Sequence, residues 1–264
     1  MMKNICIWLI YCGLIATPLI APWIIADSIP KLTQPWKNSR YNSLCQKDWF
    51  LQDWDLYQSP EWKSSYANHF GGYPIQTMKL KGTPFPYYRY DITLTNVSIE
   101  FLYRIEVPDY PTEVKNWIPQ LINGTTVDCG HPNKEQCPQW LSFSFYPTPF
   151  EDRDVCQIYC PITRLTGGKY VQVAFRTVPF KNCHNFTKDS PKEMIHMDEH
   201  IAKFFQIKET SQGTQIHYTY LGMENPRGNF PVWFMELTYP WAYKSHVSNF
   251  IRYVEENGGV VVNS

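Results

Sequence analysis

The sequence predicts an α+β fold in which a curled antiparallel β-sheet wraps around one long C-terminal α-helix, and three observations carry that prediction. From residue 74 onward, much of the chain alternates apolar and polar residues at the period of a half-buried strand. "LTGGK" at 165–169 joins two such runs, and its paired glycines can take the positive φ that a tight hairpin turn requires. Near Pro231 the rhythm changes to a helical one: Phe230, Trp233, Phe234, Leu237, Val247, Phe250, Ile251 and Val254 form one stripe. A sheet of many strands must curl, and a helix with a wide apolar face can fill its concave side.

Each element has its own justification. Residues 41–58, "YNSLCQKDWFLQDWDLYQ", read as a helical segment with Leu44, Phe50, Leu51 and Trp54 on a packing face. Strands are expected at 74–80, 87–94 and 97–106, the last two joined through "TNVS". A helix over 112–121 would start beside Pro111 and gather Val114, Trp117, Ile118 and Leu121 on one side. Strands follow at 139–146, 154–164, 169–178, 193–208 and 214–221. The final helix takes Asn229 as its cap and Pro231 in its first turn, where a missing N–H costs nothing, and Pro240 inside it predicts a kink. Val171, Val173 and Phe175 alternate with polar or small neighbours, as do Ile216, Tyr218 and Tyr220, so both sets should face inward. Alternation alone does not say whether they close a solid core or line a cavity.

Composition excludes several functions. Twenty-four basic residues balance 24 acidic ones, and no basic run exceeds two residues, so nucleic acid has no electrostatic footprint. Aromatic residues at 16% and charged residues at 18% describe a folded chain of 264 residues, one generous domain long. There is no Gly-x-Ser-x-Gly, Walker or Gly-x-Gly-x-x-Gly pattern for a hydrolase or nucleotide enzyme to use. "EDRD" sets Glu151, Asp152 and Asp154 around Arg153, which reads as a salt-linked corner, because acid/base chemistry needs carboxyls in unlike environments. In "HMDEH", a strand would put His196, Asp198 and His200 on one face, a set able to hold a divalent ion, but no fourth ligand is fixed. A solvated outer face is the simpler expectation, with no metal and no cofactor.

Residues 1–26 form an almost uncharged apolar run after Lys3 that ends at Ala26, as a signal peptide or membrane anchor would. Lys31, Lys37 and Arg40 follow it, and a positive-inside count taken alone would hold the next domain in the cytosol. The cysteines argue for export. Six lie beyond the run: Cys45, Cys129, Cys137, Cys156, Cys160 and Cys183, an even number without zinc spacing. Cys129 with Cys137 is the expected disulfide, across a loop rich in Gly and Pro. Cys156 and Cys160 cannot pair in an extended stretch, since four residues span roughly 13 Å against a Cα limit of about 7 Å. The 166 turn sets Cys156 opposite Thr177, which makes Cys183 its nearest partner. Asn96, Asn123 and Asn185 begin glycosylation sequons. The domain reading is a leader at 1–26, a helical segment at 27–54 and the main domain at 55–258.

Two segments carry a family resemblance. "PFEDRDVCQIYCPITRLTGGKYVQVAFRTV", 149–178, and "QIHYTYLGMENPRGNFPVWFMEL", 215–237, resemble the START (steroidogenic-acute-regulatory-related lipid transfer) domains in their Asp-Arg-Asp corner, glycine turn, and strand followed by Asp-Pro-x-Gly. Here Asn225 replaces that Asp, and Pro226, Gly228, Pro231 and Trp233 follow. The resemblance covers about residues 55–256. It implies a helix-grip fold with an internal hydrophobic tunnel, lipid binding without catalysis, and lid loops at 147–153 and 179–192 that touch a membrane surface transiently. It implies ligand contacts from Tyr159, Val171, Val173, Phe175, Ile216, Tyr218, Tyr220, Trp233, Phe234 and Leu237. The position of the arginine in the family's sterol-type buried ion pair falls on Tyr159, which departs from that pattern. A secreted or periplasmic, monomeric carrier is expected.

Overall fold

Alternation and turn chemistry build one sheet of 11 strands in this computed structural model. The structure describes residues 47–83, 85–107, 109–127, 137–144, 152–165, 169–178, 183, 194–211, 213–228 and 230–262. The strands are β1 (Lys63–Ser64), β2 (Gln76–Met78), β3 (Tyr87–Thr95), β4 (Leu121–Thr126), β5 (Gln139–Phe143), β6 (Arg153–Leu165), β7 (Lys169–Thr177), β8 (Ile195–His196), β9 (Asp198–Thr210), β10 (Gly213–Asn225) and β11 (Val260–Val262). Helices α1 (Lys47–Gln58), α2 (Ile99–Glu106), α3 (Tyr110–Glu113) and α4 (Val232–Glu256) pack around them. Sheet order is β1-β2-β3-β10-β9-β7-β6-β5-β4, with β11 added to β3 and β8 running parallel to β6. The fold is therefore α+β, a curled antiparallel sheet holding a C-terminal helix, as expected.

Period two decides which element sees which face. Ile201, Lys203 and Phe205 of β9 and Tyr218 and Tyr220 of β10 point to the concave side, where α4 contributes Met235, Tyr239, Tyr243, Val247, Phe250 and Val254. Phe204 and Leu221 point to the convex side, where α1 brings Trp54 and Tyr57. Phe50 of α1 is buried in a neighbouring cluster with Trp140, Ile158 and Ala174. Burial of one such ring stabilises by about 1.5–3 kcal/mol, so α1 is held firmly against the sheet. Its buried Asp53 binds Arg176 at 2.6 Å and His200 at 2.7 Å.

Four local expectations change. Residues 97–106 alternate like a strand, yet Asn96 at φ 56° ends β3 and Ser98 caps a helix by accepting from the Phe101 amide at 3.0 Å. The same apolar residues also fit helical spacing, and α2 buries Leu102 and Ile105. The helix expected over 112–121 is only α3 and a 3-10 turn at Val114–Asn116, after which Leu121 opens β4, a strand the pattern did not announce. The expected strand at 193–208 is two, β8 and β9, broken at Met197. The register of β6 is shifted by one: Gln157, not Cys156, lies opposite Thr177.

The disulfide expected of Cys156 forms with Cys183, at a Cα–Cα distance of 6.0 Å. Cys137 and Cys160 are also disulfide-bonded. The expected partner of Cys137, Cys129, lies outside the described residues, as do the leader, Asn229 and most of both expected lid loops.

Candidate ligand cavity

The strand-to-helix corner positions the site. β10 ends at Asn225, whose side chain accepts from the Arg227 amide at 3.0 Å. Gly228 takes φ +70°, which only glycine adopts without strain. From β6, Arg153 donates through Nε to the Pro226 carbonyl at 2.8 Å, and its guanidinium lies 5.0 Å from the centre of the Phe230 ring. The "EDRD" corner is thus a clasp on the turn. Pro231 then caps α4, and the helix runs through Pro240 without a break. The proline cannot donate to the carbonyl of Glu236, and one residue later Tyr66 donates its hydroxyl to the Leu237 carbonyl.

Between the first half of α4 and the sheet lies a cavity of about 320 Å³. β9 and β10 form its floor with Glu199, Ile201, Tyr220 and Glu224. α4 forms its roof with Phe234, Met235, Thr238, Tyr239, Ala242, Tyr243 and His246, and Tyr110, Trp117, Phe143 and Phe230 close the sides. Its size is at the small end of ligand pockets. Beneath the second half of α4, Tyr218 stacks on Phe250 at 5.2 Å and Phe205 packs on Tyr218 at 5.1 Å, so aromatic packing fills this part of the interface.

The polar groups divide between the two halves. In the filled half, Lys203 donates to the Glu106 carboxylate, and Tyr218 donates to the other oxygen at 2.8 Å. Both charges are fully buried, and burial lowers the Lys203 pKa while Glu106 and Glu199 oppose the shift. The Lys203 ammonium lies over the rings of Tyr110 and Phe175 at 4.1 and 4.6 Å. In the open half, Glu199 and Glu224 sit directly opposite each other on β9 and β10. Desolvation, with Glu224 adding to it, raises Glu199 to about 8. Desolvation raises Glu224 to about 7, against a hydrogen bond from Tyr243 at 3.0 Å. Burial lowers His246 to about 3, helped by the charge on Lys203. Gly222 makes room for two phenols, since a Cβ there would lie 2.6 Å from Tyr220 Cε1 and 2.9 Å from the Tyr243 hydroxyl.

The expected ligand contacts fall in three groups. Tyr220 and Phe234 line the cavity. Tyr159, Val171, Val173, Phe175, Ile216 and Tyr218 face inward as alternation predicts, but they are buried core residues that do not line this cavity. Trp233 and Leu237 are 66% and 52% exposed, so the stripe drawn through them has the wrong phase. "VWFMEL" is apolar almost all round, and hydropathy cannot choose its inner side. Tyr239 and Tyr243, which hydropathy ranks low, take that side with Met235. His196, Asp198 and His200 each find separate partners: Asp154, Arg227 and Asp53. Among the described residues no group of three or more His, Cys, Asp or Glu could hold a metal.

Comparison with solved structures decides the architecture. Human StAR-related lipid transfer protein 5 superposes with a TM-score of 0.61 at 12% identity, over 79% of this chain and 94% of that one. A STAR-related lipid transfer protein fragment from Xanthomonas axonopodis gives 0.51 at 15% identity, over 72% and 96%. The fold is that of a START domain. Human STARD10 agrees, with a TM-score of 0.52 at 16% identity over 80% of this chain and 82% of its own. No family model and no curated protein matches the sequence itself. The START fold accounts for a helix gripped by a sheet with space between them. The buried Lys203–Glu106 pair was not expected from sequence; an Ile-Lys-Phe alternation on a strand's apolar face was the signal that a hidden counter-charge existed.

Proposed function

We propose that this protein is a non-enzymatic carrier that binds one amphiphilic lipid under α4 and moves it through an extracytoplasmic compartment. The cavity between α4 and the START sheet is the observation that carries this reading. Disulfides at Cys137, Cys156, Cys160 and Cys183 support an oxidising compartment, as does the apolar N-terminal run. No described helix is long and apolar enough to cross a membrane. Contact with a membrane surface fits the outer side of α4, where Trp233, Leu237 and Trp241 are exposed and Phe70 packs 5.1 Å from Trp241.

At about 320 Å³ the cavity favours a compact or single-chain ligand over a two-chain phospholipid. Native mass spectrometry of protein expressed with its own leader tests the reading. A co-purified lipid of discrete mass is the expected result, and an empty protein that takes up no added amphiphile would refute it. A second reading, an enzyme acting on a cavity-bound substrate, draws on the two carboxyls with raised pKa values. It predicts chemical change in the recovered ligand, whereas the carrier returns it unaltered.

A further inference from the structure

We infer that the cavity selects an amphiphile whose head group is a protonated amine, held between Glu199 and Glu224. The inference rests on the carrier reading and gives its ligand a chemistry. Two carboxyls directly opposite each other on neighbouring antiparallel strands have Cβ atoms only about 4.5–5.5 Å apart, a placement that is unfavourable unless a proton or a cation lies between them. Both carboxyls line the cavity.

A second observation points the same way. Tyr239 is 94% buried, given its 6% exposure, and it lines the same cavity, yet its hydroxyl has no hydrogen-bond partner among the described residues. An ammonium group offers several donors and a positive charge. The carboxylates and the phenol oxygen can all accept from it, and the faces of Tyr110, Tyr220 and Tyr243 favour a cation nearby. Lys203 shows what these rings tolerate, since its own ammonium already lies 4.1 Å from the centre of Tyr110.

The surroundings exclude the opposite charge. Among the described residues the lining holds two carboxyls and no lysine or arginine. Lys203 is committed to Glu106, and Arg153 to the Pro226 carbonyl behind Phe230. A fatty acid or a phosphate head would therefore find no lysine or arginine in the lining to offset its charge.

The test compares three chains of equal length, hexadecylamine, hexadecan-1-ol and palmitate, below their aggregation limits. The disulfide-bonded full chain is stripped of lipid and titrated at neutral pH with mass-spectrometric detection. The amine is expected to bind at least about tenfold tighter than the alcohol, as charge-assisted hydrogen bonds exceed neutral ones, and palmitate weakest. Glu199→Gln with Glu224→Gln, near-isosteric and checked by a thermal melt, should bring the amine down to the alcohol's affinity in the same variant. Equal binding of amine and alcohol by the wild type, or a preference that survives the double variant, overturns the inference while the carrier reading stands. If none of the three binds, both fall together.

Discussion

Two acidic settings lie on the same inner face of the sheet, and they are built on opposite principles. Glu106 receives a lysine and a tyrosine and is fully buried with both. Glu199 and Glu224 receive each other, one tyrosine hydroxyl and a cavity. The first arrangement is complete as it stands, whereas the second is complete only with a proton or a ligand added. Burial alone does not tell a structural charge from a functional one. The inventory of partners does.

Breaking the complete setting should have the largest effect. Lys203→Met leaves the Glu106 carboxyl buried without its cation, and a cost of about 3–5 kcal/mol is expected in urea unfolding. Adding Glu106→Gln should recover much of that loss. If Lys203→Met unfolds like the wild type, the two settings do not differ in the way described.

The incomplete setting should respond to pH instead. Both folded-state values lie above the ordinary 4.5, at about 8 for Glu199 and about 7 for Glu224. The folded protein therefore holds protons that the unfolded chain has released, and this contribution is full below about pH 4.5 and lost as pH rises through 7 to 8. Lipid-free wild type and Glu199→Gln should melt alike near pH 5. At pH 8.5 the variant should be the more stable by a few kcal/mol. Lys203, Tyr243 and His246 face the same groups and are unchanged in the comparison.

Smaller effects sharpen the boundary between the halves. Gly222→Ala pushes a methyl against Tyr220 and Tyr243, for an expected cost of about 1–3 kcal/mol and weaker ligand uptake measured on the same samples. Trp233→Ala, on the outer side of α4, should change stability by no more than about 0.5 kcal/mol. It should slow lipid exchange with vesicles, and an unchanged exchange rate would remove the membrane contact from the proposal.

Much of the fold was legible because its signals are local. Alternation in β6, β7, β9 and β10 and the Asn-Pro-Arg-Gly corner each name their own structure, while the turn expected at 166–168 lies outside the described residues. The 97–106 segment misled because "VSIEFLYRIE" satisfies both periods, and one serine hydroxyl decides between them. The site was less legible. Alternation located the inner face correctly, but which part of that face stays open depends on ring packing between distant segments, such as Tyr218 on Phe250. Glu199 and Glu224 become neighbours only through the β9–β10 register, which no single segment reveals.

The attachment of α4 at both ends has a mechanical consequence. At its start, the Pro226 carbonyl is fastened to Arg153 of β6; just past its end, β11 pairs with β3, so that Val261 lies opposite Leu94. A flap needs one free edge, and this helix has none. It is a beam supported at both ends, spanning the cavity in its first half and bearing on solid packing in its second. Such a beam admits a guest by flexing, and the weakest point of its hydrogen-bond ladder is at Pro240, beside the Tyr239 and Ala242 that roof the cavity. Restoring the missing bond with Pro240→Ala would stiffen the span, so the rate at which ligand enters and leaves should fall even where its affinity does not.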